Sequence, residues 1–286
     1  MKKLAVIIPT FNRKNHLANL LNTLGVERLN NNIVLIVVND GSSDGTNELL
    51  LSSYPEVVIV QGTGDWWWTR SINEGLRKAI SLDCNTFLLM NDDTFVKSSF
   101  LENAINQFEN LKSSVLGFIS ITAQKPERIF FSGIKKSNLI FAKFYRYHSY
   151  LASLDKNING QHISDFLPGR GMMFSDSLLK EIGYFDQEKL PQYFADFDFS
   201  QRALRAGYNV VISWDLHIYA HIALTAKGNR SNTNFINLLK SFSKANTPNN
   251  YKSTWYFYKN HLKAAAHIAF VFHYTRVILS YFKNKF

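Results

Sequence analysis

The first half of the chain alternates short apolar runs with segments whose apolar residues recur every three or four positions. The runs have the length of strands and are rich in Val, Ile and Leu: Leu4–Ile8, Ile33–Val38, Val57–Val60 and Thr86–Met90. The periodic segments predict helices: one carrying Leu17, Leu20, Leu21 and Leu24, a short one ending at Leu51, and one over about Thr69–Ser81. Strands without polar alternation, separated by helices, predict a parallel sheet covered on both faces.

The pattern becomes less regular after Ser120. The elements predicted there are a strand pair (Ile129–Gly133 and Leu139–Tyr145), a tight turn (Pro168–Gly171), a strand (Met172–Phe174), a helix to about Ile182, a helix (Asp196–Ala206) and a strand (Val210–Ile212). No internal repeat or low-complexity linker interrupts the chain. The sequence therefore predicts one α/β body followed by a tail.

Net charge distinguishes these two parts. The 286 residues carry 32 Lys and Arg against 22 Asp and Glu, which gives a net charge of +10. Asp215 is the last carboxylate, so the basic residues after it account for the whole excess. A hydrophobic fraction of 46% excludes a disordered chain, and a single cysteine, Cys84, excludes a disulfide framework or a cysteine-rich metal centre.

Aromatic and basic residues are interleaved in the tail. Lys259, Lys263 and His267 are spaced four residues apart and predict a basic stripe on one helix. This composition suits the headgroup region of an anionic membrane, so peripheral attachment is one prediction. The alternative is a helix that packs back on the body with its lysines in solvent. The tail has no recognised nucleic-acid-binding motif, so a nucleic acid is not among the predicted partners.

The apolar segments at the two ends of the chain do not match targeting or spanning segments. Leu4–Ile8 stops at a proline and is too short for the core of a signal peptide. The longest late apolar stretch, 264–282, is interrupted by two histidines and Arg276, whereas a spanning helix needs about 20 mostly apolar residues. We therefore expect a cytoplasmic location, with peripheral attachment to the inner face of the cell membrane as a further possibility.

Carboxylates recur at the predicted ends of strands and at the start of one helix. Asp40 follows the second strand, Asp92 and Asp93 follow the fourth, and Asp196 and Asp198 open a later helix. The carboxyl ends of parallel strands meet at one edge of a sheet, where ligands bind. Any single carboxylate there could belong to an ordinary turn. Adjacent carboxylates, however, repel unless a cation or hydrogen-bond donors offset their charge. A divalent ion on a diphosphate substrate would do so.

Ordered motifs in the chain resemble the family-2 glycosyltransferases of the GT-A fold. They are Val6–Arg13 (VIIPTFNR), Val38–Thr46 (VNDGSSDGT), Asn91–Asp93 (NDD) and the acceptor-side acidic motif Phe194–Arg202 (FADFDFSQR). A further segment, Gly64–Gly75 (GDWWWTRSINEG), is similar to the branch that includes bacterial rhamnosyltransferases. The resemblance covers about residues 4 to 222. It implies a GT-A-type α/β domain with a mostly parallel central sheet flanked by helices.

The resemblance also implies a binding site for a nucleotide-sugar donor. The expected donor-binding residues are Pro9, Thr10, Phe11, Arg13, Asp40, Asp65, Trp67, Arg70, Asn91, Asp92 and Arg170. Within this set, Asp40 would bind the pyrimidine ring, Asp92 the ribose, and Arg170 the phosphates. The three adjacent tryptophans cannot all face one core. They could therefore pack beneath the donor loop or line the cleft against a sugar ring.

A divalent cation, Mn²⁺ or Mg²⁺, is the cofactor that the resemblance implies. Asp93 would hold the ion against the two phosphates, and His221 would be a second ligand or a phosphate contact. His217 lies four residues earlier on the same strand face and remains an alternative. Asn91 stands where many relatives have a carboxylate, which predicts modest metal affinity.

The resemblance assigns the general base to Asp196. An unperturbed aspartate has a pKa of about 3.9 and is a weak base for an alcohol, so the proton must leave the acceptor as the new C–O bond forms. A single displacement of this kind inverts the anomeric carbon. Ala195 replaces the glutamate that often precedes this aspartate, which makes Asp198 the alternative base. Asp196 would otherwise serve only to cap its helix.

These expectations define one function and one alternative. The function is an inverting, metal-dependent transfer of rhamnose or a hexose from a dTDP- or UDP-sugar to a carbohydrate or lipid-linked glycan, in the synthesis of bacterial surface polysaccharide. The catalytic domain is expected over 1–222, with its nucleotide-sugar half to about 120 and its acceptor half over 121–222; a helical extension is expected over 223–286. The alternative is a non-catalytic nucleotide- or glycan-binding protein with a degenerate site.

Overall fold

The computed structural model describes residues 3–25, 32–155, 157–221, 234–244 and 247–283. In the first half of the chain the strands are β1 (Leu4–Thr10), β2 (Ile33–Asn39), β3 (Val58–Gln61), β4 (Thr86–Leu89) and β5 (Thr94–Phe95), and the helices are α1 (Lys14–Leu24), α2 (Thr46–Ser53), α3 (Trp67–Ser81) and α4 (Phe100–Glu109). The apolar runs thus form strands, and the periodic segments form helices between them.

The second half adds strands to the same sheet and ends in helices. Its strands are β6 (Ser114–Thr122), β7 (Ile129–Phe131), β8 (Ile134–Asn138), β9 (Lys143–Arg146), β10 (Gln161–Ile163), β11 (Met172–Ser175) and β12 (Asn209–Ala220). Its helices are α5 (Asp176–Ile182), α6 (Ala195–Arg205), α7 (Phe235–Ser241), α8 (Tyr251–Leu262) and α9 (Ala266–Lys283). The predicted α/β architecture with a C-terminal helical extension is confirmed. The predicted domain boundary at 222–223 lies outside the described residues.

The main sheet has the strand order β10-β12-β6-β11-β4-β1-β2-β3. The segment β4-β1-β2-β3 is entirely parallel, and β12 runs parallel to β6. Strand β11 lies antiparallel between β4 and β6. Because β1, β2 and β4 share one direction, their carboxyl ends meet at one edge of the sheet, as predicted.

Hydrophobic cores cover both faces of the sheet. On one face Ile7 packs with Leu76 of α3, and on the other Val6 and Ile8 pack with Leu17 of α1. Helix α3 approaches β1 closely at Gly75, where a Cβ atom would lie 2.4 Å from Ile7 Cγ2. A glycine at this position therefore lets the helix lie directly on the strands and brings its N-terminus to the polar edge of the sheet.

Two predictions about the second half and the tail were wrong. The hairpin is formed by β8 and β9, whereas Ile129–Phe131 pairs with β6. The predicted basic stripe is not on one helix, because α8 ends at Leu262 and Lys263, with a positive φ of 49°, begins a single 3-10 turn, Lys263–Ala265. Helices α8 and α9 instead pack against each other as a helical hairpin.

Helix α8 is part of the hydrophobic core. Phe257 and Tyr258 are fully buried in the cluster that also contains Phe199 of α6 and Phe166. This part of the tail therefore packs on the body, which was one of the two alternatives drawn from the sequence. None of the helices in the described segments is long and apolar enough to span a membrane.

Candidate active site

A cleft of about 470 Å³ opens at the edge where the parallel strands end. The predicted site residues that line it are Pro9, Thr10, Phe11, Arg13, Asp40, Trp67, Asn91, Asp92, Asp93, Arg170 and Asp196. They come from the loops after β1, β2 and β4, from the start of α3, from the turn before β11, and from the start of α6. The structure thus brings residues from both halves of the chain to one cavity.

Asp40 holds the entrance to α3 in place. Its carboxylate accepts hydrogen bonds from the backbone N–H groups of Gly64 (2.8 Å), Trp66 (2.9 Å) and Trp67 (3.2 Å). The loop packs so closely that a Cβ atom on Gly41 would lie 2.8 Å from the nitrogen of Gly64. A carboxylate has about four acceptor positions, so Asp40 keeps capacity for one more donor from a ligand.

Asp92 and Asp93 form a buried carboxylate pair between two arginines. Asp92 accepts hydrogen bonds from Thr10 Oγ1 and Arg13 Nη1, both at 2.9 Å. Burial raises the pKa of Asp92 to about 6; Arg13 opposes this shift and Asp93 reinforces it. Asp93 Oδ2 lies 3.5 Å from Arg13 Nη1, and Asp93 Oδ1 lies 3.6 Å from Arg170 Nη2.

The chemistry of this pair fits a divalent cation. Asp93 Oδ1 is buried and has no hydrogen-bond partner among the described residues. A hard cation prefers such carboxylate oxygens and, with a diphosphate present, needs only one or two of them. Within the described segments, no group of three His, Cys, Asp or Glu side chains is arranged to hold a metal by itself. The protein could therefore supply only part of a cation's coordination.

Asp196 lines the cleft from the first turn of α6. Its carboxylate accepts hydrogen bonds from the N–H groups of Gly169 (3.1 Å) and Phe197 (2.9 Å). Burial raises the pKa of Asp196, and these two N–H groups oppose the shift. A carboxylate with a raised pKa is a stronger base than an exposed aspartate.

The three adjacent tryptophans have different environments. The guanidinium of Arg70 lies over the ring of Trp66, with the Arg70 Cζ atom 4.9 Å from the ring centroid. Trp67 is exposed in the cleft and adopts a φ of 57°, a left-handed conformation that is uncommon for a bulky residue. Trp68 donates its indole N–H to Asn91 Oδ1 at 3.1 Å. Trp66 therefore packs against Arg70, whereas Trp67 and Trp68 line the cleft.

Three predicted site residues do not line the cleft. Asp65 is exposed, and Arg70 stacks on Trp66 instead of facing the cavity. The His221 ring faces His16, with ring centroids 5.0 Å apart, while its backbone N–H donates to the carbonyl of Asp93. The functional roles assigned to Asp65, Arg70 and His221 stay predictions.

The sequence analysis missed several residues of the cleft. Ser71 lines it from α3, next to Trp68, one of the three tryptophans considered from the sequence, and Gln192 and Tyr193 line it from the segment before α6. Gln192 Oε1 accepts the backbone N–H of Trp68 at 2.9 Å, so it connects the donor-side and acceptor-side segments. The proximity of Gln192 and Tyr193 to Asp196 in the sequence was the one signal for their position.

Asp198, the alternative base, points away from the cleft. It is buried and binds Arg202 Nε (2.8 Å), His261 Nε2 (2.9 Å) and Asn260 Nδ2 (3.0 Å). His261 and Asn260 belong to α8, so Asp198 joins the helix that carries Asp196 to the C-terminal extension. These contacts give Asp198 a structural role.

The ion pairs of Asp198 predict a specific dependence of stability on pH. The His261 and Arg202 contacts outweigh burial and lower the pKa of Asp198 below the unfolded value of about 3.9. The ionised carboxylate therefore stabilises the fold above about pH 4, and this contribution is lost as the pH falls through the folded-state pKa. Between pH 5 and 3, we expect wild type to lose more free energy of unfolding than the Asp198→Asn variant. Urea denaturation at each pH measures this, and equal losses would contradict it.

Comparisons with known proteins agree with this geometry. Residues 5–183, more than half of the chain, match glycosyl transferase family 2. The chain therefore belongs to that family and is a glycosyltransferase, as the sequence motifs predicted. A comparison with curated protein sequences found no match.

Solved structures share the fold at low sequence identity. TarS 1–349 of S. aureus aligns with a TM-score of 0.52 at 16% identity, over 92% of this chain and 73% of that chain. The mannosyltransferase PcManGT from Pyrobaculum calidifontis, in complex with GDP-Man and Mn²⁺, aligns with a TM-score of 0.56 at 14% identity. The alignment covers 96% of this chain and 75% of that chain. GalNAc-T7 with UDP, GalNAc and Mn²⁺ aligns with a TM-score of 0.60 at 11% identity, over 77% of this chain and 44% of that chain. A longer TarS chain is covered over 53% of its length.

Proposed function

We propose that the protein transfers rhamnose or a hexose from a dTDP- or UDP-sugar to a carbohydrate acceptor, with inversion and with a divalent cation. The observation that carries the proposal is the convergence of Asp40, Asp92 and Asp93 with Asp196 in one cleft. The first three follow strands β2 and β4, at the edge where a nucleotide diphosphate would bind, and Asp196 lines the same cavity from the first turn of α6. The donor would bind to the first group, and the acceptor would approach Asp196.

The donor half of the cleft supplies groups for each part of a nucleoside diphosphate. Phe11 is an exposed ring at the end of β1 that suits stacking on a base. Asp40 retains an acceptor position for a base N–H, and Asp92 suits a ribose hydroxyl. Arg13 and Arg170 provide guanidinium groups for the phosphates.

Asp93 is the residue we assign to the cation, with Mn²⁺ or Mg²⁺ as the ion. Its Oδ1 atom accepts no hydrogen bond from the described residues, and the protein supplies few other ligands there; both observations support binding together with a donor diphosphate. The bound ion would offset the charge that develops on the leaving diphosphate. The guanidinium groups of Arg13 and Arg170 would then turn from Asp93 toward phosphate oxygens. His221 is retained as a second candidate ligand.

Asp196 would accept the proton of the acceptor hydroxyl. As the acceptor oxygen bonds to the anomeric carbon, the bond from that carbon to the diphosphate oxygen breaks, and the hydroxyl proton passes to the Asp196 carboxylate. Attack from the face opposite the leaving diphosphate inverts the anomeric centre. The raised pKa of Asp196 and its position on the cleft support this role.

The rest of the proposal concerns the acceptor and the cellular setting. The similarity of the Gly64–Gly75 segment favours rhamnose among the donor sugars. The acceptor class that we propose is a growing, lipid-linked surface glycan at the cytoplasmic face of the membrane. We also propose that 1–222 forms the catalytic unit and that 223–286 is an extension.

Thermal unfolding with UDP, dTDP, GDP and CMP, each with and without Mn²⁺, tests the proposed donor. At about 100 times its dissociation constant a ligand adds about 2.7 kcal/mol to stability, a shift of several degrees for a chain of this size. We expect such a shift with dTDP or UDP, and a larger one with Mn²⁺. Asp93→Asn should remove the Mn²⁺-dependent part, whereas Asp176→Asn, at the start of α5 and outside the cleft, should retain it. No shift with any nucleotide would contradict the proposal and favour a degenerate site.

A further inference from the structure

The outward face of α9 is apolar, although surface helices usually carry polar side chains there. Ile268, Val271 and Leu279 are 50%, 63% and 61% exposed. With Phe272 and Phe282, which are also exposed, they recur at spacings of three, four and seven residues and form one stripe along the helix. Contiguous exposed apolar surface of this kind marks an interaction site.

The stripe continues onto the body of the protein at the tip of the β8–β9 hairpin. Ile140 and Phe141 are exposed at this tip. The Phe141 ring packs edge-on against Phe272, with centroids 5.1 Å apart, and Arg276 Nε donates to the Phe141 carbonyl at 3.0 Å. We call the α9 stripe and this hairpin tip the outer apolar surface.

Positive charge borders the outer apolar surface on both elements. The hairpin carries the exposed residues Lys135, Lys136 and Lys143, and it contains no carboxylate. Arg276 and Lys283 are exposed on α9, and the chain has no carboxylate after Asp215. A partner that complements this surface must offer apolar groups together with negative charge.

We infer that the outer apolar surface binds the interface of an anionic phospholipid bilayer, with α9 lying in the plane of the membrane. Acyl chains match the apolar stripe, and anionic headgroups match the bordering cations, each of which contributes about 1 kcal/mol near such a surface. A second copy of the chain fits less well, because self-association would bring two basic surfaces together. The inference deepens the proposed setting at the membrane by naming the surface that makes the contact.

The inner side of α9 connects this surface to the acceptor side of the cleft. His273 packs near Phe194, with ring centroids 6.1 Å apart, and Phe194 precedes Asp196 by two residues. A membrane bound at the outer face of α9 would therefore hold the α6 end of the cleft close to the bilayer. An acceptor anchored in lipid could then approach Asp196 while its anchor stays in the membrane.

Co-sedimentation of the full chain with lipid vesicles tests the inference without requiring activity. We expect binding to phosphatidylcholine vesicles that contain about 30% phosphatidylglycerol, and much weaker binding to phosphatidylcholine alone. Replacing both Val271 and Leu279 by Gln should lower the partition coefficient at least about tenfold, because two apolar side chains that would enter the bilayer are replaced by polar ones. Leu51→Gln, an equally exposed leucine (64%) on α2, should leave binding unchanged.

Three outcomes would overturn the inference. In sedimentation, wild type could fail to bind the anionic vesicles, or the double variant could bind as well as wild type. In light scattering, wild type could be a dimer and the double variant a monomer. The last outcome would assign the surface to a second copy of the chain. The replaced side chains are exposed, so the variant should unfold at the wild-type temperature; the single Leu279→Gln variant serves if it does not. A nucleotide-dependent thermal shift that persists without vesicle binding would leave the proposed transferase function intact.

Discussion

Replacing Asp196 by Asn is expected to lower the turnover number by about three orders of magnitude and to change nucleotide affinity less than about twofold. General base catalysis typically contributes 10² to 10⁴ in rate, and an amide cannot accept the acceptor's proton. Gly169 and Phe197 donate their N–H groups to different oxygens of Asp196, so the single acceptor oxygen of asparagine can keep one of these two bonds. A melting temperature and a circular dichroism spectrum close to those of wild type would show that the start of α6 keeps its conformation. The measurement is nucleoside diphosphate release, with the donor that gives the largest thermal shift and surface glycans as acceptor.

The same variant separates catalysis from helix capping. If Asp196 only capped α6, the amide would keep one of its two hydrogen bonds and turnover would change little. Asp176→Asn is the matched control, because Asp176 also lies in the first turn of a helix but is remote from the cleft. It should retain wild-type turnover. An Asp196→Asn enzyme with unchanged turnover would refute the assignment of the base, even if the nucleotide still bound.

The nucleotide side of the fold could be predicted from the sequence because its strands are buried on both faces. Strands of this kind have continuous apolar sequences. The predicted strands Leu4–Ile8 and Ile33–Val38 lie inside the observed β1 and β2. The strand direction then placed Asp40 and Asp92 at one edge. The convergence of these residues followed from topology alone, without any side-chain detail.

Elements that depend on tertiary contacts were missed or misplaced. Strand β6 is fully buried, but Ser, Gly and Thr interrupt its apolar run, so it did not stand out. Strand β8 has polar residues at its exposed positions, so it showed no apolar pattern and its pairing with β9 was not predicted. The break at Lys263 has no proline or glycine to mark it, so the four-residue spacing predicted an uninterrupted stripe. In the site, Gln192 was missed because its partner, the N–H of Trp68, is 124 residues away.

Replacing Asp198 by Ala is expected to destabilise the protein by about 3–5 kcal/mol. Removing one member of a buried ion pair leaves its partners desolvated and unpaired, and that penalty exceeds the net value of the pair. Here Arg202 would lose its counter-charge but keep its hydrogen bonds to three backbone carbonyls, whereas the partners His261 and Asn260 would lose their acceptor. Because the last two belong to α8, the loss should also loosen the C-terminal helices. Urea denaturation measures the first effect and amide hydrogen exchange in α8 the second.

The matched control for Asp198 is another ion pair with the same spacing on a helix. Asp176 and Lys180 are four residues apart on α5, as Asp198 and Arg202 are on α6, but the lysine is largely exposed. Asp176→Ala should therefore cost at most about 1 kcal/mol, since solvent screens an exposed pair. The helical spacing is the same, so the comparison sets the cost of breaking a buried network, with its further partners on α8, against that of breaking one exposed pair. Equal losses in the two variants would show that Asp198 does not join the catalytic helix to the C-terminal extension through a buried charge.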